Sequence, residues 1–381
     1  MNKPQFKQLR HSYGFDEVAI VPGDITINPE QTNIEFRVED KTCGLPIIAA
    51  AMDGVTDVKF AIEYGKLGGL AVLNLDGVQT RYENPAEVLK EITQSPQAGV
   101  TSLLQKIYQS PIKDNLIGER IRAIKAAGVT CAVSVSPANA KRFAPICAEA
   151  RVDIYIIQST VTTARHISKS YHGLVFSELK DILSIPIVVG NCVSYNACLE
   201  LMRTGISSML VGVGPGAACT SREVLGIGVP QITATIDCAA ARDEYFRESG
   251  RYVPIITDGG FRKGGDVCKA FAAGADAVML GSIFAQAEGS PGMGHHWGMS
   301  HPHPALPRGT RIKVGTTGTL EQILFGPSSV TDGSQNLVGA LRTAMGFCGA
   351  ANIGEMHNAE MVIAPSIVSE GKSWQMMQAG R

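Results

Sequence analysis

The chain has 381 residues, of which 45% are hydrophobic and 41 are glycine, and its formal net charge is −1. That length allows two or three average domains, although α/β barrels often spend it on one. The near-zero charge creates no field that would draw nucleic acid or an acidic membrane surface, and no apolar run is long enough to span a bilayer.

The first residues, MNKPQFKQLRHSYGF, lack the apolar stretch of a signal peptide. Nine cysteines are scattered without a CxxC pair. An odd count without a secretion signal reads as reduced thiols in a cytoplasmic protein, not as a disulfide framework or a zinc site.

Short apolar, β-branched runs alternate with helical patterns along the chain. The runs are Leu45–Ala50, Gly69–Asn74, Val100–Leu104, Cys131–Ser136, Asp153–Gln158, Ile185–Asn191, Ser208–Gly214, Val253–Asp258 and Ala277–Ser282. They lack strict alternation, which suggests strands buried on both faces of a parallel sheet. Helices are expected at Arg81–Ser95, Leu116–Ala127, Asn139–Ala150, Tyr195–Thr204, Pro230–Ser249 and Gly265–Ala273. Gly128, Gly205 and Gly274 each stand just past a helical pattern, as C-capping glycines do. Repeated βα units of this size point to a (β/α)8 TIM barrel, read as one catalytic domain over residues 1–381. Nine runs compete for eight places. Val100–Leu104 is taken as a strand outside the barrel, because no glycine-rich or polar signal follows it. From His295 to Thr331 the periodicity fades into a stretch rich in His, Pro, Gly and Thr, which suits an active-site flap.

In such a barrel, reactive groups collect at the C-terminal ends of the strands. Here the first strand leads into Ala50-Ala51-Met52-Asp53-Gly54 and the fifth ends in Gly190-Asn191. The seventh ends in Asp258-Gly259-Gly260 and the eighth in Gly281-Ser282. The sixth runs into GVGPGAACTSR, residues 212–222. Its glycines let the backbone adopt positive φ and approach a ligand closely, and the loop delivers Cys219. A free cysteine is more often a buried packing residue, but a thiol on this rim is placed to attack a bound substrate. Glycine turns after the last two strands suit a phosphate, because backbone N–H groups can face the anion. Asp258 beside them suits a ribose diol. Any one of these turns could be ordinary; their convergence on one rim is the signal.

The motifs GPGAACTSR, GVPQITA, DGGF, GADAVMLGS and LRTAMGFCGA, with AAMDGVTD and GGLAVLN earlier in the chain, resemble the IMP dehydrogenase / GMP reductase superfamily over nearly the whole length. The tandem CBS module common in the dehydrogenases is missing. The chain is therefore most similar to the short, CBS-lacking bacterial group of cyanobacteria and actinobacteria.

The resemblance implies an NAD-dependent oxidation of IMP to XMP in guanine nucleotide synthesis. The Cys219 thiolate would add to C2 of the purine, hydride would pass to NAD+, and the thioimidate would be hydrolysed after a flap closes. A GMP reductase would use the same cysteine but expel ammonia from GMP and take hydride from NADPH, giving IMP. A purine-nucleotide-binding regulator without turnover is the reading from another class.

Carried position by position, the resemblance implies that Asp258 binds the ribose hydroxyls. Gly260, Gly281 and Ser282 would hold the phosphate, with His296 at the place of a family tyrosine. Asn191 and Gly190 would line the purine, and Gly298 and Met299 would meet the base through backbone. NAD would lie near Gln158, Ser159, Gly212 and Gly214. A potassium ion would sit on carbonyls of Gly214, Gly216 and Cys219, with Glu370 matching the neighbouring subunit's part of that site. A homo-oligomer follows, either a tetramer of barrels or two tetramers paired into an octamer.

The chain also departs from the pattern. Ala49 and Ala217 stand where the family has serines, each removing a hydroxyl; hydrogen bonds to charged groups are worth roughly 1.5–3 kcal/mol. Gln158-Ser159-Thr160 replaces the usual acidic cofactor residue. The flap lacks the Arg-Tyr pair in which arginine activates water. Arg308, and after it Arg311, are the arginines available for that role. His295, His296, His301 and His303 have pKa values better matched to a base. The reductases' threonine and flap glutamate correspond to Ser221 and Val314, which favours the dehydrogenase.

Overall fold

The computed structural model describes residues 8–167, 176–298 and 310–364. Eight of the nine apolar runs become strands: β1 (Ile47–Ala49), β2 (Leu70–Asn74), β3 (Ala132–Val135), β4 (Ile154–Gln158), β5 (Ile187–Cys192), β6 (Ser208–Val211), β7 (Ile255–Asp258) and β8 (Ala277–Leu280). All neighbours are parallel and β8 closes onto β1, giving a (β/α)8 TIM barrel.

The period-2 rule of a strand explains the unbroken apolar runs. Ile48, Leu70, Val72, Ile154, Ile156, Val188, Leu210, Ile256 and Met279 point into the barrel and pack on one another. Their alternates, such as Ile47, Leu73, Val133, Ile157, Val189, Met209 and Ile255, pack outward against the helices. Both faces are covered, so apolar residues predominate, and buried polar ones such as Ser208 and Thr257 are hydrogen-bonded. A hairpin, Phe36–Val38 with Lys41–Cys43, immediately precedes β1 and adds Phe36, Val38 and Cys43 to the inner cluster. It closes the N-terminal end and leaves the C-terminal rim as the open one.

Most expected helices fall within a residue or two of those observed, such as Asp114–Ala126, Ala140–Glu149 and Gln231–Ser249. Gly128, Gly205 and Gly274 all have positive φ at helix ends. Two expectations fail. Val100–Leu104 is not a strand but the first half of a helix, Val100–Tyr108, though it does lie outside the barrel. Its buried residues Val100, Leu104, Ile107 and Tyr108 recur at helical spacing, which a five-residue window cannot reveal. The expected helix Arg81–Ser95 is two helices, Val78–Arg81 and Pro85–Gln94, because Pro85 begins a new first turn.

The expected flap has two structured parts. Its roots pair as antiparallel strands, β9 (His295–Trp297) and β10 (Arg311–Lys313). Within its second half lies a helix, Leu320–Phe325, started by a Thr319/Gln322 capping box. Met299, His301, His303 and Arg308 lie outside the described residues, as does Glu370. Among the described residues no helix is long and apolar enough to cross a membrane.

Candidate active site

Asp258 ends β7, and its Oδ2 collects amides from two other strands. Gln158 at the end of β4 donates Nε2 at 3.0 Å, and Asn191 near the end of β5 donates Nδ2 at 2.8 Å. Burial pushes the Asp258 carboxyl up from 3.8 to about 6, and the two amides pull the other way. Backbone bonds fix the donors. Ser159 N donates to Gly190 O at 2.9 Å and Asn191 N to Ser159 O at 3.0 Å, so the β4–β5 ladder continues past the barrel.

Gln231 performs the same task between β6 and β7. Its Nε2 donates to Val211 O at 2.7 Å and Asp258 O at 3.0 Å. Gly212, at φ 152°, lies so close that a Cβ there would stand 2.3 Å from Asp258 O. Only glycine fits. The sequence reading missed Gln231. It lies inside GVPQITA, but a glutamine at a helix start gives no local sign that it will be buried against two strand ends.

The loop after β6 brings Cys219 back to this rim. Cys219 N donates to Gly216 O at 3.0 Å, and the thiol donates to Ser221 Oγ at 3.3 Å. Cys219 is partly exposed, whereas seven of the other cysteines are buried. Ser221 is buried at the start of a five-residue helix.

Across the opening, Gly259 and Gly260 both have φ 87°, and Gly281 and Ser282 follow β8. Ser282 Oγ lies 2.9 Å from His296 Nε2 on β9. Burial, helped by the neighbouring His295, lowers the His296 imidazole from 6.5 to about 4, so it is neutral at pH 7. Its Nδ1 is buried and has no hydrogen-bond partner among the described residues.

These groups line one cleft of about 990 Å³, including the part open to solvent. It brings together Gln158, Ser159, Asn191, Gly212, Gly214, Gly216, Cys219, Ser221, Asp258, Gly260, Gly281, Ser282, His296 and Gly298. Ala217 lines it too, but Ala49 does not; it is fully buried in β1. The side-chain amide of Gln158, expected near a cofactor, is committed to Asp258. The Gly216 carbonyl, expected on a cation, accepts the amide of Cys219, and its second lone pair is the part open to such an ion.

Arg311 must be removed as a candidate base. Its guanidinium is buried and donates to Ile92 O, to Thr93 O at 3.2 Å and to Gln97 Oε1 at 3.2 Å. It serves the end of helix Pro85–Gln94, where carbonyls lack helical partners.

Comparison with known proteins agrees with this geometry. Residues 12–299 match the family model described as the IMP dehydrogenase / GMP reductase domain. An uncharacterised oxidoreductase of Mycolicibacterium smegmatis is 37% identical over 94% of this chain and 98% of its own. The IMP dehydrogenase of Cryptosporidium parvum is 27% identical over 92% of this chain and 91% of its own. The crystal structure of an IMP dehydrogenase/GMP reductase-like protein from Corynebacterium glutamicum superposes with a TM-score of 0.89 at 33% identity, covering 95% of this chain and 97% of that one.

Proposed function

This chain belongs to the IMP dehydrogenase / GMP reductase family of oxidoreductases, and we propose that within it the protein is an NAD-dependent IMP dehydrogenase that makes XMP. The observation that carries the reading is the meeting of an accessible thiol, Cys219, with the braced Asp258 carboxylate and the glycine turns in one cleft.

The chemistry follows from those groups. Asp258 accepts hydrogen bonds from both ribose hydroxyls; such charge-assisted bonds are short and strong. Gly260, Gly281 and Ser282 meet the phosphate, and His296, neutral and fixed by Ser282, adds a polar contact without adding charge. This holds C2 of the purine over Cys219, whose thiol proton already points at Ser221 Oγ. The thiolate adds to C2, which would make the C2 hydrogen ready to leave as hydride. NAD+ supplies the hydride acceptor when bound. Water then adds to C2, the C–S bond breaks, and the thiolate is restored; the sum is IMP, NAD+ and water giving XMP, NADH and a proton. Of the two arginines considered for activating that water, Arg311 is bound into the scaffold, which leaves Arg308.

The reductase reading needs an acid at the flap position that handles ammonia. That position is Val314, whose amide donates to Gly294 O at 2.8 Å beside the strands β9 and β10. A potassium ion on the Cys219 loop and assembly into a tetramer or octamer complete the proposal, the second read out by light scattering.

The test is to incubate the purified protein with IMP and NAD+, with and without K+, and to follow NADH and XMP. Both should appear. Ammonia and IMP from GMP and NADPH would establish the reductase instead. Tight nucleotide binding with neither reaction would establish the regulator.

A further inference from the structure

The stem β9–β10 is tied to the helices between β2 and β3, none of whose residues lines the cleft. Side chains alternate along β9. His296 faces the cleft, whereas Trp297 turns away and is buried among Val78, Leu89, Ile92, Val100, Leu104 and Ile107. The indole is not merely packed there. Its Nε1 donates to Tyr108 Oη at 2.7 Å, and Tyr108 Oη donates to Asp53 Oδ2 at 2.5 Å. Val78 N donates to the same carboxylate oxygen at 3.1 Å. Asp53 follows Met52, a residue of the cleft wall, and Gly54 abuts the stem so closely that a Cβ would stand 2.8 Å from His295 O.

The second stem strand is tied to the same helices. Arg311 pairs with Trp297 across the ladder. It donates to Ile92 O and Thr93 O, and Gln97 Nε2 donates back to Arg311 O at 3.3 Å. Buried hydrogen bonds of this kind are costly to break one at a time, because the partner left behind stays desolvated. The stem's height above the rim is thus set from behind, by a buried Asp–Tyr–Trp chain and an arginine clamp.

We infer that Asp53, Tyr108 and Trp297 are positioning residues that act through His296, so that the helices of residues 78–108 control how well the cleft grips its nucleotide. The inference rests on the dehydrogenase reading only for the identity of the ligand, IMP.

Tyr108→Phe removes one hydroxyl and keeps the ring. In a Trp374→Phe background Trp297 is the one tryptophan left, and Tyr108→Phe should shift its emission. IMP affinity, measured by calorimetry, should fall about tenfold, the ratio that 1.4 kcal/mol represents. His296→Ala should weaken IMP to a similar degree. The double variant should bind no more weakly than His296→Ala alone, because the two act on one contact and such effects do not add. Independent, additive losses would overturn the inference, and so would unchanged Trp297 emission. Should Tyr108→Phe not fold, Arg311→Lys takes its place in the same cycle with the same expectations. If the wild-type protein does not bind IMP, the dehydrogenase reading fails, while the emission measurement still decides the Trp297–Tyr108 contact: a shift upholds it and constancy refutes it.

Discussion

The two sides of the cleft are held by different means. On the Asp258 side, strand ends are knitted together by short polar bonds. Gln158 and Asn191 converge on one carboxylate oxygen, and Gln231 ties β6 to β7. Gln158, Asn191 and Asp258 stand on barrel strands, whose backbones are fixed by the parallel ladder, and Gln231 reaches them from the start of a helix. On the His296 side, the cleft wall is a two-stranded stem outside the barrel. It keeps its place through side chains that reach away from the cleft, Trp297 and Arg311. The contrast teaches that the first side is fixed by groups that themselves face the cleft, and the second by residues buried behind it. Damage to the first should strike binding and reaction directly, and damage to the second should act at one remove.

The largest expected effect sharpens the first half of that contrast. Cys219→Ala should reduce NADH formation to background while IMP still binds, as judged by stopped assays beside calorimetry. Near-normal turnover would remove the covalent mechanism.

Next comes Asp258→Ala. Losing charged hydrogen bonds worth roughly 1.5–3 kcal/mol each should weaken IMP by about two orders of magnitude and erase discrimination against the 2′-deoxynucleotide. Equal affinity of wild type and variant for both ligands would exclude the ribose role.

On the stem side the effect should divide by step. Lids commonly govern one stage of a reaction rather than all. Arg308→Ala should keep a burst of NADH but slow hydrolysis, so that an enzyme–nucleotide adduct accumulates and is visible by intact mass. Loss of the burst, with no adduct, would move Arg308 from water activation to binding.

The smallest effect is on stability, and Asp258 and His296 should oppose each other. Asp258 is lifted from 3.8 to about 6, so its protonated form favours the fold. That contribution is full below 3.8 and disappears as pH rises through about 6. Asp53, raised to about 6 by burial, has the same sign. His296 is lowered from 6.5 to about 4, so its neutral form favours the fold. Its contribution is present above 6.5 and disappears as pH falls through about 4. Melting curves between pH 4 and 7 should therefore flatten on their acid-favouring slope in Asp258→Asn and on the opposite slope in His296→Gln. Identical pH dependence in all three proteins would mean that neither group is perturbed as the burial implies.

Much of this was legible without coordinates. Strands buried on both faces are mostly apolar, so the barrel strands showed as apolar runs without strict alternation. The rim showed because polar and glycine residues follow those runs directly. Val100–Leu104 misled for a related reason: a short apolar run looks alike whether a strand or a helix buries it. The stem's attachment left no local mark. Tyr108 meets Asp53 across 55 positions of sequence and Trp297 across 189, and each alone reads as an ordinary core residue.

By itself, then, the sequence determined the eight barrel strands, most of the helices and the composition of the rim, because burial pattern and backbone freedom are local properties of residue type. Only the tertiary structure decided which amides would share the Asp258 oxygen, that Gln231 would bind two strand ends, and that Arg311 would clamp a helix instead of serving the cleft. Those outcomes depend on which polar groups lose water together, and that is settled when distant segments close on one another.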